Sequence, residues 1–314
     1  MDLSEYKEYL PQSDISEEAL MLFEFFEPIT DEFFKIEKPF DNRNVTTPYF
    51  RKINESIGTT RSSGSPISRA ISNLSQKTRN DALGRSIFYS LYQNYKQFVA
   101  MNNMRSDIYI RKWIKVLCSA YTATRFAVVM SILRLENKKR QLLLATGIVD
   151  SFDDPGTAES VKEEIDYIWC KSFHDKNTLV VPFISCTFYM FQRLMSSKCF
   201  TCMHIAGHGN YTHLNFFNEF IDYNQFVNCI NNDMEFSLLN CCCTYDFVGR
   251  QTIPGCKTTI AHRDTVRNDV ALDFTRDFYD MILRKRSDVV STANQCIGMA
   301  KHSEQSPHEY YLLQ

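Results

Sequence analysis

A histidine flanked by glycines and a run of three cysteines are the residues of this chain best equipped for chemistry. His208 stands in HIAGHGN (204–210), and Cys241, Cys242 and Cys243 stand in LLNCCCT (238–244). A thiol becomes a strong nucleophile only as thiolate, and an adjacent imidazole makes thiolate available near neutral pH. A Cys–His pair therefore predicts nucleophilic attack on a carbonyl, the chemistry that cysteine proteases use.

Two strands must bring the pair together. Cys202–Ala206 and Phe236–Leu239 are apolar runs, the first ending in Gly-His-Gly and the second in Asn-Cys-Cys-Cys. Short apolar runs of this kind suit buried parallel strands, and open α/β sheets bind ligands outside the carboxyl ends of their strands. His208 and Cys242 are thus expected side by side at one sheet edge, with imidazole and sulfur about 3–4 Å apart or joined by one water.

These segments resemble the His-Gly and Cys motifs of the CHAT domain, a caspase-like cysteine peptidase family of clan CD. The stretch VRNDVALDFTRDFYDMIL (266–283), with Asp269, Ala271, Phe274, Phe278 and Tyr279, is similar to the family's segment after the cysteine strand. The terminal YYLLQ resembles its last strand. The resemblance covers roughly residues 138–314. It implies His208 as general base, Gly209 as an oxyanion donor through its backbone N–H, and Cys242 as nucleophile. The family pattern places a small residue before the nucleophile, which Cys241 supplies, and Thr244 lies two beyond. Strand alternation also separates Cys242 from its neighbours. The neighbours are thiols too, so a slip of one position to Cys243 or Cys241 stays open. Asp246 and Asp269 are candidate walls of a substrate pocket that would favour Arg or Lys, with a helix cap or loop ion pair as the competing reading. The resemblance further implies a protein substrate, such as a gasdermin-like pore former in bacterial antiphage defence. A catalytically silent caspase-like interaction module is the alternative.

Composition agrees with a globular chain of one large or two ordinary domains: 314 residues, 44% hydrophobic, with 24 Phe and 16 Tyr. With 35 basic and 37 acidic residues there is no nucleic-acid footprint. Eleven cysteines, an odd number with three adjacent, favour reduced thiols and a reducing, cytoplasmic interior. The start, MDLSEYKEYL, lacks the apolar core of a signal peptide. Phe126–Leu135 is shorter than the roughly 20 residues needed to span a bilayer, so no membrane is expected.

The expected architecture is α/β: a caspase-like, mostly parallel sheet flanked by helices (138–314), preceded by a helical N-terminal region (1–137). Asp14-Ile-Ser-Glu17 has capping-box spacing and opens a helix in which Pro28 is a kink or stop. IGTTRSSGSPISR (57–69) reads as a surface loop or processing site. Two amphipathic stripes follow between Asp81 and Glu136. The Phe- and Tyr-rich faces of this region must pack on the catalytic domain or on a partner, which predicts a regulatory or activator-binding role. Downstream, Gln141–Thr146, Thr178–Ser185, Glu235–Asn240, Lys257–Ala261 and 309–313 read as strands, with helical stretches between them. Pro182 is a defect for a central strand.

Two competing readings concern the histidines. His204 alternates into its strand and reads as a hydrogen-bonded core histidine. His204, His208, His213 and the cysteines could supply zinc ligands, but consecutive cysteines do not converge easily on one ion. No P-loop, dinucleotide fingerprint or serine elbow occurs, so no cofactor or metal is expected.

Overall fold

The computed structural model describes residues 3–34, 65–101, 107–136, 140–150, 154–217, 219–230, 233–284, 288–301 and 309–314. The chain divides into two compact units, Met1–Lys138 with Ser151–Gly156, and Lys139–Asp150 with Thr157–Gln314.

The first unit is helical: α1 (Leu3–Tyr9), α2 (Ser16–Phe34), α3 (Pro66–Lys77), α4 (Ala82–Val99) and α5 (Asp107–Leu135). Its aromatic faces are buried in a core of the unit's own, which corrects the expectation that they await another surface. Trp113 is packed between Phe26 and Phe98, and Tyr6 stacks on Phe23 at 3.8 Å. Within that core, Arg125 is fully buried, lies over the Tyr121 ring and grips Glu27 with two hydrogen bonds of 2.9 and 2.5 Å. Burial of a charge on this scale is tolerated only with such a bidentate partner.

Three local expectations change. Helix α2 starts at Ser16, and the carboxylate of Asp14 pairs with Arg134 rather than capping it. Pro28 lies inside α2. The stretch read as a loop to residue 69 turns helical at Pro66, because Ser65 accepts the Ser68 N–H and proline suits the first helical turn; residues 57–64 lie outside the described residues. The segment Ile108–Leu135 is long and apolar enough to cross a membrane, and 83% of its most apolar window is buried within the structure.

The second unit is an α/β sandwich. Its elements are β1 (Gln141–Gly147), α6 (Pro155–Ser172), β2 (Thr178–Phe183), α7 (Phe188–Ser196), β3 (Phe200–Gly207), β4 (His213–Phe216), β5 (Glu219–Asp222), α8 (Tyr223–Val227), β6 (Met234–Cys241), α9 (Thr244–Phe247), β7 (Cys256–His262), α10 (Asn268–Tyr279), a π turn (Asp280–Arg284), α11 (Val289–Lys301) and β8 (Tyr310–Leu313). The main sheet has the order β2-β1-β3-β6-β7-β8, parallel except for β8. This is the expected α/β class. Pro182 is accommodated because β2 is the edge strand at one side.

The chain runs from β1 outward to β2, then returns past β1 to β3. Right-handed crossovers therefore place α6 and α7 on opposite faces. One face holds Phe191, Phe216, Phe226 and Phe247 in a ring-on-ring cluster from α7, β4, α8 and α9. The other holds α6 and α10, where the Phe236 ring meets Phe278 edge-on. The strand-order reversal lies between β1 and β3, the position at which such sheets open a crevice at their carboxyl ends.

Candidate active site

Strands β3 and β6 are adjacent and parallel, and their last register pair is Gly207 with Cys241. His208 and Cys242 are the next residues on each, so the fold brings their backbones to the same edge, where parallel neighbours lie about 4.8 Å apart. The two glycines around His208 are required for different reasons. Gly207 has φ +144°, in the region that L side chains avoid, and a Cβ there would also meet Ile148 at 2.8 Å. A Cβ on Gly209 would sit 2.9 Å from the Cys242 carbonyl oxygen and 3.3 Å from Cys241 Cβ. These glycines serve the protein's own packing, rather than only leaving room for a substrate.

After Gly209 the chain turns into the β4–β5 hairpin, which the sequence did not reveal. The Asn210 N–H donates to His213 O at 2.9 Å, and the Asn215 N–H donates to His208 O at 3.0 Å. Those bonds flank a bridge between Gly209 and Leu214 and leave the Gly209 N–H outside it. Among the described residues no acceptor takes that N–H, as an oxyanion donor requires.

The three cysteines occupy three different environments. Cys241 is the last laddered residue; its thiol is buried and donates to Ile205 O at 3.7 Å. Burial pushes it well above the ordinary thiol value. Cys243 is 6% exposed, with φ +57°, and its N–H donates to Asp264 O at 2.9 Å. Burial raises that thiol too. Cys242 alone of the three is half-buried rather than buried. The Val266 N–H donates to its sulfur at 3.4 Å, and Val266 O lies 3.9 Å from it.

Sequence reasoning missed the segment that makes this cradle. His262, at the end of β7, is fully buried; its Nδ1 lies 2.8 Å from Asp264 O, and its backbone N–H donates to Thr244 Oγ1 at 3.0 Å. The Asp264 carbonyl thus ties β7 to the cysteine turn and sets the course of the chain to Val266. The sequence signal was a histidine ending an apolar strand, as in the His208 segment.

Behind the turn lies a buried polar network. Glu164 Oε1 accepts from Asn240 Nδ2 and Thr275 Oγ1, both at 2.6 Å, and lies 2.9 Å from His204 Nε2. Asn240 Oδ1 accepts from the Tyr310 hydroxyl at 2.6 Å. His204 is therefore a buried core histidine beside a carboxylate, but neither ring nitrogen meets hydrogen-bond geometry, which departs from the hydrogen-bonded histidine expected. The network joins α6, β3, β6, α10 and β8 one residue before Cys241.

Two acids and a third histidine remain among the candidates. Asp246 pairs with Arg250 at 2.9 Å, and Asp269 with Arg267 at 2.5 Å. The Arg267 guanidinium holds Asp269 below the usual carboxylate range. Each acid, one in α9 and one in the first turn of α10, pairs with an arginine within four residues, as the competing ion-pair reading expected. His213 Nδ1 bonds Thr212 Oγ1 at 2.8 Å, and no three His, Cys, Asp or Glu groups converge as a metal set among the described residues. A separate cleft lined by Gln141, Asp175, Cys202 and Glu235 opens at the amino ends of the strands, the edge opposite Cys242.

No family model matches the chain, and no curated protein does. Solved structures similar to it include "Structure of Protease", at 11% identity and TM-score 0.41, with 62% of this chain covering 51% of that one. Another is "Complex of Porphyromonas gingivalis RgpB pro- and mature domains", at 12% identity and TM-score 0.36, with 53% of this chain covering 44% of that one. The matched region thus spans about half the length of each of those chains.

Proposed function

We propose that the chain is a cysteine endopeptidase in which Cys242 attacks the scissile carbonyl and His208 manages the proton transfers. The observation that carries this reading is the single half-buried thiol of the triplet, held by the Val266 N–H, on the strand end beside His208. His208 takes the thiol proton as Cys242 attacks and returns a proton to the leaving amine. The Gly209 N–H receives the developing oxyanion, a donor worth about 3–4 kcal/mol of barrier. Water then attacks the thioester, with His208 again as base, and the acid product leaves.

The CHAT resemblance of the sequence adds that the substrate is a partner protein, a gasdermin-like pore former in antiphage defence being one such partner. A reactive thiol needs control, and the N-terminal helical unit, outside the resemblance, would supply it through an activator. The test is hydrolysis of a protein and peptide library by the full chain and by Cys242→Ser and His208→Ala. Cleavage by the wild type alone supports the reading; equal cleavage by Cys242→Ser removes it.

A further inference from the structure

Cys242 and Cys243 are consecutive, and both stand in the turn between β6 and α9, past the last laddered residue. We infer that they form a peroxide-responsive modification site, with Cys242 as the oxidised thiol and Cys243 as the thiol that captures it in a reversible vicinal disulfide. The inference rests on the reading of Cys242 as the reactive thiol.

The surroundings select both partners. Cys242 is half-buried while Cys241 and Cys243 are buried, so a dissolved oxidant reaches its sulfur first, and that sulfur accepts the Val266 N–H at 3.4 Å. Three groups could capture that sulfenic acid. Cys241 is fixed in the ladder with its thiol on Ile205 O. The backbone nitrogen of Cys243, which would give a cyclic sulfenamide, already donates to Asp264 O at 2.9 Å. The Cys243 thiol stands in the turn itself, on the residue next to Cys242 and outside the ladder. Of the three groups it alone is neither fixed in the ladder nor engaged through the backbone nitrogen, so Cys243 is the partner.

The chemistry balances with hydrogen peroxide as oxidant. The Cys242 thiolate attacks one peroxide oxygen; an S–O bond forms, the O–O bond breaks, and hydroxide leaves to become water. The Cys243 sulfur then attacks the Cys242 sulfur; an S–S bond forms, the S–O bond breaks, and hydroxide departs with the thiol proton as a second water. Two thiols are oxidised and one peroxide is reduced. Adjacent Cα atoms lie about 3.8 Å apart, short of the roughly 4.4–6.8 Å that relaxed disulfides span. The bond is therefore strained and easily reduced, as a regulatory rather than a structural disulfide is.

The experiment treats the reduced full chain with hydrogen peroxide, then measures iodoacetamide labelling of Cys242 and the mass of the peptide carrying residues 241–243. Mapping to that peptide keeps the exposed Cys199 from contributing. Expected is a near-complete loss of labelling, a peptide lighter by two hydrogens, and full recovery with dithiothreitol. In Cys243→Ala, and in Cys243→Ser with nearly the native volume, the same treatment should add two oxygens to Cys242 irreversibly. Recovery in both variants equal to wild type, or a disulfide mapped to Cys241, overturns the inference. Because labelling needs no substrate, a chain that forms the disulfide yet cleaves nothing when reduced refutes the peptidase reading and leaves this site standing.

Discussion

Replacing Gly209 by alanine tests whether the His208 turn is built against the cysteine turn. The new methyl would lie 2.9 Å from Cys242 O, 3.2 Å from Leu214 Cδ2 and 3.3 Å from Cys241 Cβ. The first contact is with backbone, which cannot swing aside as a side chain can, so the two strand ends must separate. Overpacking of this kind costs about 1–3 kcal/mol, which for a unit of this size lowers Tm by roughly 2–12 °C. The loss of activity should be larger than the loss of stability. The shift moves both the Cys242 carbonyl and the Gly209 N–H, and removing an oxyanion donor lowers kcat by about 100- to 1,000-fold. Gly298→Ala in α11 is the control, because nothing lies within 4 Å of its added methyl and alanine favours a helix by about 0.5–1 kcal/mol over glycine. The assays are thermal unfolding and steady-state hydrolysis of a peptide that the wild type cleaves. A Gly209→Ala enzyme with wild-type kcat and Tm would refute the close approach of the two turns.

Four further outcomes are expected. Arg125→Met strands Glu27 in the helical core and should cost about 3–5 kcal/mol in urea unfolding, whereas no loss would make the pair dispensable. Tyr310→Phe leaves the buried Asn240 Oδ1 without its donor and should cost about 1–3 kcal/mol; a neutral result would show that the network repairs itself. Cys241→Ala and Cys243→Ala should keep most hydrolysis while Cys242→Ala loses it, and a dead Cys243→Ala would move the nucleophile by one. Stability should also fall in mild alkali. Burial pushes the thiols of Cys202, Cys229 and Cys296 up to about 12 and that of Cys256 up to about 11. Unfolded thiols ionise from about pH 8.5, so above that the unfolded chain binds fewer protons than the folded one, and stability falls until the folded thiols titrate near pH 11–12. A urea midpoint unchanged between about pH 7.5 and pH 10 would contradict this sign.

Much of the α/β unit was legible because buried parallel strands are nearly continuous apolar runs. Gln141–Gly147 and Thr178–Phe183 are strands almost to the residue expected, and the unease about Pro182 pointed to an edge strand. The β4–β5 hairpin was missed because each strand has only four residues, and Phe220 on it is 71% exposed. Its order comes from Leu214, Phe216 and Ile221, which are buried by tertiary packing. At the candidate site, His208 and Cys242 announce themselves by type. The Val266 N–H does not, because every residue but proline carries one, and only the course of the chain through Asp264 brings it to the sulfur. Likewise, Glu164, Asn240 and Tyr310 are unremarkable in sequence and meet only through the folded sheet. Asp14-x-x-Glu17 shows the opposite failure: a sound local signal overridden by a distant arginine.

The most direct test of the central claim is site mapping of a peptide-based, thiol-directed electrophile on the reduced full chain. The account predicts one adduct, on Cys242, absent in Cys242→Ala and formed much more slowly in His208→Ala. An adduct on Cys241 or Cys243, or labelling of Cys242 at the same rate without His208, would contradict it.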